Sequence, residues 1–244
     1  MPESKQKVTL SVAEVLEFLE SKGSESYKRI FKNHGAVEPL FGVSVADLKI
    51  IQKQVKTDHQ LALELFRTGN SDAMYLAGLI ADPKKFSKHE FTDLAQNAGW
   101  YMITEYAIAW NVAESDLCWE LCHEWLQTDD VMLQNCAWAA LSNFVMLHPD
   151  EALDLEGIEK LLDYVEKNIH EAPNRVRYVM NSFVIAVGGS IVSLTEKARK
   201  IGNSIGKVSV ELGGTACKVP AIVDYIDKME AKDKLGHKKK KAKC

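Results

Sequence analysis

The sequence predicts an all-α fold: antiparallel helix pairs stacked into a curved solenoid, an α-α superhelix with a concave face. Three observations predict it. Helix-start signals recur along the chain, apolar residues recur at i, i+4 and i+8, and three segments repeat one local pattern.

The elements follow in chain order. Ser11-Val-Ala-Glu14 reads as a capping box, in which serine and glutamate each satisfy an amide at the helix start, and it opens a helix through Leu19. Ser44 and Asp47 give a related signal ahead of Leu48, Ile51 and Val55. Ser87-Lys-His-Glu90 is a second capping box, before Phe91, Leu94 and Ala95. Leu117, Leu121 and Trp125 then fall on one helical face, as do Leu133, Ala137 and Leu141, and Leu161, Leu162, Val165 and Ile169. Short connections such as Asp82-Pro83 and His148-Pro149 separate these runs. Val208-Ser-Val-Glu-Leu212 is the best alternating stretch and reads as an extended linker or an edge fragment.

Segments beginning at Ser71-Asp72, Asp129-Asp130 and Pro173-Asn174 each place turn residues before the same apolar spacing. The last two are 44 residues apart, within the period of HEAT or armadillo-type helical repeats. Residues 1–230 are therefore expected to form a single HEAT-like helical repeat domain, and 231–244 a lysine-rich disordered tail.

Composition excludes several function classes. The start, Met1 to Lys7, has no apolar leader, and no apolar run approaches the length of a membrane span. The odd set of five cysteines shows no disulfide framework, and a reducing, cytoplasmic location is expected. Cys118, Cys122 and His123 do not complete a metal-ligand set, and neither a GxGxxG nor a Walker motif appears. No metal and no cofactor is expected, and the chain is expected to act as a monomer.

Charge is strongly segregated. Residues 89–159 contain no lysine or arginine, 14 acidic residues and all five tryptophans: Trp100, Trp110, Trp119, Trp125 and Trp138. Residues 1–172 sum to −13, residues 173–218 to +5, and the tail 228–244 to +6, within a net charge of −4. Any polyanion is therefore expected to meet the 173–218 face and the tail.

Within the cation-free stretch, Tyr101 and Glu105 stand at i and i+4, so an aromatic ring and a carboxylate share one helix face. Such a pair suits a positive charge, whether a bound cation or one that develops in a reaction. An aromatic core with Glu105 as a rim charge is the plainer reading. Trp110, Trp119, Trp125 and Trp138 read as core. Downstream, Arg175 and Arg177 open a helix whose N–H groups suit phosphate, and Asn181 is set into an apolar run where it needs a partner. Lys207 and Lys218 flank turn glycines that include Gly213 and Gly214; a phosphate site and a plain connecting loop are both open there.

With these motifs in place, the chain resembles the HEAT-like DNA alkylation repair family, the alkylpurine DNA glycosylases. The likeness rests on Phe31-Lys-Asn-His34, Phe41-Gly-Val43, Trp100-Tyr101-Met-Ile-Thr-Glu105, Met132-Leu-Gln-Asn135 and Val176-Arg177-Tyr178-Val-Met-Asn181, and it covers most of the chain. The resemblance implies a basic concave face for double-stranded DNA, alkylated or not, and hydrolysis of the N-glycosidic bond of N3- or N7-alkylated purines. It assigns charge stabilisation to Glu105 and aromatic walls to Trp100 and Tyr101. Phosphate or DNA contacts would come from Asn135, Arg175, Arg177, Asn181, Lys197, Arg199, Lys200, Lys207 and Lys218. The sequence departs from the family's pattern at four places: Tyr101 stands for a Trp, Glu105 for an Asp, Asn135 for an Arg and Asn181 for a Trp. Two alternatives stand beside the glycosylase: a non-catalytic binder of DNA structure on the same fold, and a protein-interaction scaffold using the acidic, Trp-rich face.

Overall fold

Local sequence signals set where the helices begin. A computed structural model describes residues 9–213 and 215–243; Met1–Val8, Gly214 and the terminal Cys244 lie outside the described residues. The helices are α1 (Val12–Lys22), α2 (Glu25–Asn33), α3 (Val45–Val55), α4 (His59–Arg67), α5 (Ser71–Ile80) and α6 (Lys88–Gln96). A π-helical segment, Ile103–Ile108, runs straight into α7 (Ala109–Glu114). Then come α8 (Cys118–Leu126), α9 (Val131–Leu147), α10 (Leu155–Asn168), α11 (Asn174–Ser190), α12 (Thr195–Ile205) and α13 (Ile222–Glu230). Both capping boxes form, at Ser11/Glu14 and Ser87/Glu90. Asn70 and Asp130 cap α5 and α9, each accepting two backbone N–H bonds, so two of the three look-alike segments share a cap one residue before the helix. The third, α11, starts after Pro173 without a side-chain cap.

The helices stack in two layers. α5, the π segment with α7, α9, α11 and α13 pack side by side as an inner row, while α4, α6, α8, α10 and α12 each cover the row from outside. The inner helices from α5 to α11 are largely apolar, and every residue of α5 is buried, whereas the last, α13, buries only Ile222 and Ile226. Outer helices bury one stripe; α10 buries Ile158, Leu162 and Val165 and leaves its other face to water. Trp110, Trp125 and Trp138 are core, and Trp119 is half-buried. This is the HEAT-like architecture, with inner-helix starts at 71, near 100, 131 and 174.

No strand occurs among the described residues. Residues 206–221 form an irregular connection instead, held to α11 by reciprocal bonds between Asn174 and the Glu211 backbone, 2.8 and 3.0 Å. The tail differs from expectation. Rather than projecting as a disordered arm, 236–243 lies against the body, with Ala242 buried and Lys238 and Lys243 half-buried. The reason is that its lysines and amides find carbonyl and carboxylate partners on helices distant in sequence. No single helix among the described residues is long and apolar enough to cross a membrane.

Candidate nucleic-acid interface

The inner-helix starts bring the sequence-predicted residues together. Trp100, at the head of the second inner unit, is buried against Phe31 of α2, ring centroids 5.5 Å apart, and its indole N–H donates to the His34 carbonyl at 2.8 Å. Tyr101 follows; its hydroxyl shares a 3.0 Å hydrogen bond with His34 Nδ1. The turn between α2 and α3 is tied in from below. The Asp72 carboxylate accepts the backbone N–H groups of Phe41, Gly42 and Val43 at 2.7–3.0 Å. Gly42 has φ +79, and a Cβ there would meet the Lys28 nitrogen at 2.5 Å, so this turn requires glycine.

Glu105 is the centre of the cluster and is only 5% exposed. Arg175, from the start of α11, grips it with two parallel bonds, Nε to Oε1 at 2.5 Å and a terminal nitrogen to Oε2 at 2.6 Å. Asn135 of α9 donates to Glu105 Oε1 at 3.0 Å and accepts from Thr104 at 2.7 Å. The guanidinium carbon of Arg175 also lies 3.7 Å from the Tyr101 ring centroid and 4.1 Å from that of Tyr178. Burial pushes the Glu105 carboxyl up from its usual range, against the pull of Arg175 and Asn135. Burial opposes the Arg175 charge as well, but Glu105 outweighs it and holds the guanidinium firmly protonated. Tyr106, beside them, is pushed up to about 12, chiefly by burial and then by Glu105.

Three cavities adjoin this cluster. One of 290 Å³ is bounded by Trp100, Tyr101, Tyr106, Arg175 and Tyr178, with Leu212 and Cys217 of the 206–221 connection closing it. One of 320 Å³ reaches from His34 past Asn135 to Asn174 and Gly213. One of 330 Å³ runs along the inner face between α9 and α11, from Glu105 to Tyr225 and Met229. Trp100, Tyr101 and Glu105 therefore border a groove, although Glu105 itself is covered.

The other sequence-predicted contacts divide into two sets. Arg175 and Asn135 are engaged at Glu105. Arg177 donates to the Ser209 carbonyl at 3.1 Å and Asn181 to that of Pro220 at 3.0 Å, so both fasten the 206–221 connection. Lys197 pairs with Glu159 and Asp163 of α10, and Arg199 with Asp227 and Glu230 of α13. Lys200, Lys207 and Lys218 remain exposed. Lys207 and Lys218 border an 800 Å³ cleft within the 206–224 stretch. Sequence reasoning gives no role to Asp72, and names His34 and Tyr178 only inside motifs. Tyr178 is findable, since it stands at i+3 from Arg175 on one helix face. No group of three or more His, Cys, Asp or Glu side chains is placed to hold a metal among the described residues. Burial raises the Cys122 and Cys136 thiols well above their ordinary value.

The profile of DNA alkylation repair enzymes matches residues 15–197 of this chain. The chain belongs to the DNA alkylation repair family. Two relatives are similar to it along most of their length. An uncharacterized protein of Listeria monocytogenes serovar 1/2a is 32% identical over 212 residues, 84% of this chain and 91% of the relative. Another, from Listeria innocua serovar 6a, is 32% identical over 206 residues, 82% of this chain and 88% of the relative. A solved structure matches with a TM-score of 0.89 at 33% identity, covering 96% of this chain and 100% of that one. It is described as a new family of proteins related to the HEAT-like repeat DNA glycosylases with affinity for branched DNA structures. At the centre of the site, the Glu105–Arg175 fork lies against two tyrosine rings.

Proposed function

We propose that this protein binds branched DNA and does not excise bases. The observation that carries the reading is the closure of Glu105. A carboxylate that is to support a cationic sugar or lesion must be free to meet that charge. Here a resident guanidinium already holds both carboxylate oxygens and lies over Tyr101 and Tyr178, where a cationic guest would rest. Exchanging that partner for a guest would leave Arg175 buried without its counterion, a cost of several kcal/mol. The branched-DNA affinity of the solved relative supports the choice of ligand. DNA would meet the exposed Lys200, Lys207 and Lys218, the last two at the cleft of the 206–221 connection.

The test pairs two measurements. Anisotropy should give at least tenfold tighter binding to a three-way junction than to a linear duplex of equal length, and an excision assay on methylated duplex should release no base. Equal affinity for the two DNAs would remove the ligand.

Excision of alkylated purines is the second reading. It is favoured by Glu105 lying at the edge of an aromatic-walled cavity. Steady release of methylated purine, lost in Glu105→Gln, would place it first.

A further inference from the structure

We infer that the lysine-rich tail is an intramolecular strap that fastens the C-terminal ends of the inner helices, rather than a free arm for polyanions. The chain visits those ends in reverse order. The Gly236 N–H donates to the Gly189 carbonyl at the end of α11, at 2.9 Å. The Lys239 N–H donates to the Met146 carbonyl near the end of α9 at 2.7 Å, and Lys238 Nζ to the neighbouring Val145 carbonyl at 2.9 Å. Lys238 also pairs with Asp150 at 2.8 Å. The Ala242 N–H donates to Glu114, last residue of α7, at 2.7 Å, and Lys243 Nζ to the Ala81 carbonyl at the end of α5, at 2.8 Å.

Geometry explains the register. The anchoring amides at 236, 239 and 242 are three residues apart. Three extended residues rise about 10 Å, close to the 8–10 Å between packed helix axes. Each step of the strap therefore spans one inner helix. Chemistry explains the lysines. The last carbonyls of a helix lack intrahelical donors and form the negative end of its dipole, which a lysine side chain satisfies. Lys238 and Lys243 serve in this way at α9 and α5, while Lys239, Lys240 and Lys241 are exposed. The Ala242 methyl is buried at 6% exposure, which no free arm requires. The four anchors are at helix ends, away from the helix starts that carry Tyr101 and Arg175, and the strap meets only the far end of the α9–α11 cavity, at Met146 and beside Ser190.

Hydrogen exchange on the full chain tests this. The amides of Gly236, Lys239 and Ala242 should be protected at least about tenfold over coil rates, and should stay protected when a saturating three-way junction is added. Ala242→Asp, which places a charge in the buried seat, should abolish protection at Ala242 and lower the thermal midpoint by several degrees. Coil-rate exchange in the free protein overturns the strap. So does loss of protection on adding DNA, which would make the tail an arm, or an unchanged midpoint in Ala242→Asp. Only the DNA arm of the experiment rests on the proposed function.

Discussion

Glu105 and Arg175 face each other across 70 positions of sequence, and neither is tolerable alone where it lies. Their side chains are 4% and 18% exposed. Removing one partner of a buried, hydrogen-bonded pair leaves an uncompensated charge, whereas replacing both with apolar groups is often nearly neutral. Glu105→Gln should therefore lower unfolding free energy by roughly 3–5 kcal/mol, and Glu105→Leu with Arg175→Met should restore most of it. Urea denaturation of the set decides this; a Glu105→Gln protein as stable as the double variant would show that the pair is not a closed unit. Tyr101 and Glu105 are legible in the sequence because an i, i+4 relation is local. Arg175 stands out there too, but as a phosphate ligand, since nothing local says that a helix start 70 residues on delivers its guanidinium to that carboxylate. Asn181 is legible as needing a partner, and its partner is a loop carbonyl.

At the scale of elements, helix beginnings are legible because caps are short-range chemistry. The boxes at Ser11 and Ser87 form as expected. The repeat is legible at α5, α9 and α11 but not at the unit between α5 and α9, because the helix after Gly99-Trp100 passes through the π segment Ile103–Ile108. An extra residue per turn has no hydrophobic-period signature of its own. Its cause is visible only in packing. Gly78 of α5 lies so close that a Cβ there would meet the Ala107 Cα at 2.5 Å. The Asn111 amide bridges the Gly78 and Ala107 carbonyls at 2.9 and 2.7 Å. Two backbones in contact cannot yield as a flexible side chain would. Gly78→Ala should thus cost about 1–3 kcal/mol by overpacking, despite alanine's better helix propensity, and denaturation melts measure it. A stabilised Gly78→Ala would mean the two helices can separate freely.

For the whole molecule, the charge segregation visible in the sequence persists, but much of the basic block is neutralised from within. Of the seven cations in 173–218, Arg175, Lys197 and Arg199 face carboxylates and Arg177 a carbonyl. Lys200, Lys207 and Lys218 are left to act outward. Converting those three to alanine should flatten the log–log salt dependence of junction binding by up to roughly three units, about 0.9 for each phosphate no longer neutralised; an unchanged slope would place the DNA elsewhere. The tail departs from its sequence expectation for the same reason in reverse. A lysine run looks like a solvated arm in sequence, because the carbonyls it caps belong to helices spread over a hundred residues. Its docking carries a pH signature. Burial, only partly offset by Glu114 and Asp82, lowers the Lys243 pKa from 10.5 to about 8. Between those values a released tail keeps the proton that the docked tail has shed, so rising pH favours the docked form, and falling pH through about 8 weakens it. The Ala242 methyl resonance should report a released fraction that shrinks from about pH 8 to about pH 10, and Lys243→Met should make that fraction independent of pH. A released fraction that grows over the same range would mean that Lys243 docks with its charge intact.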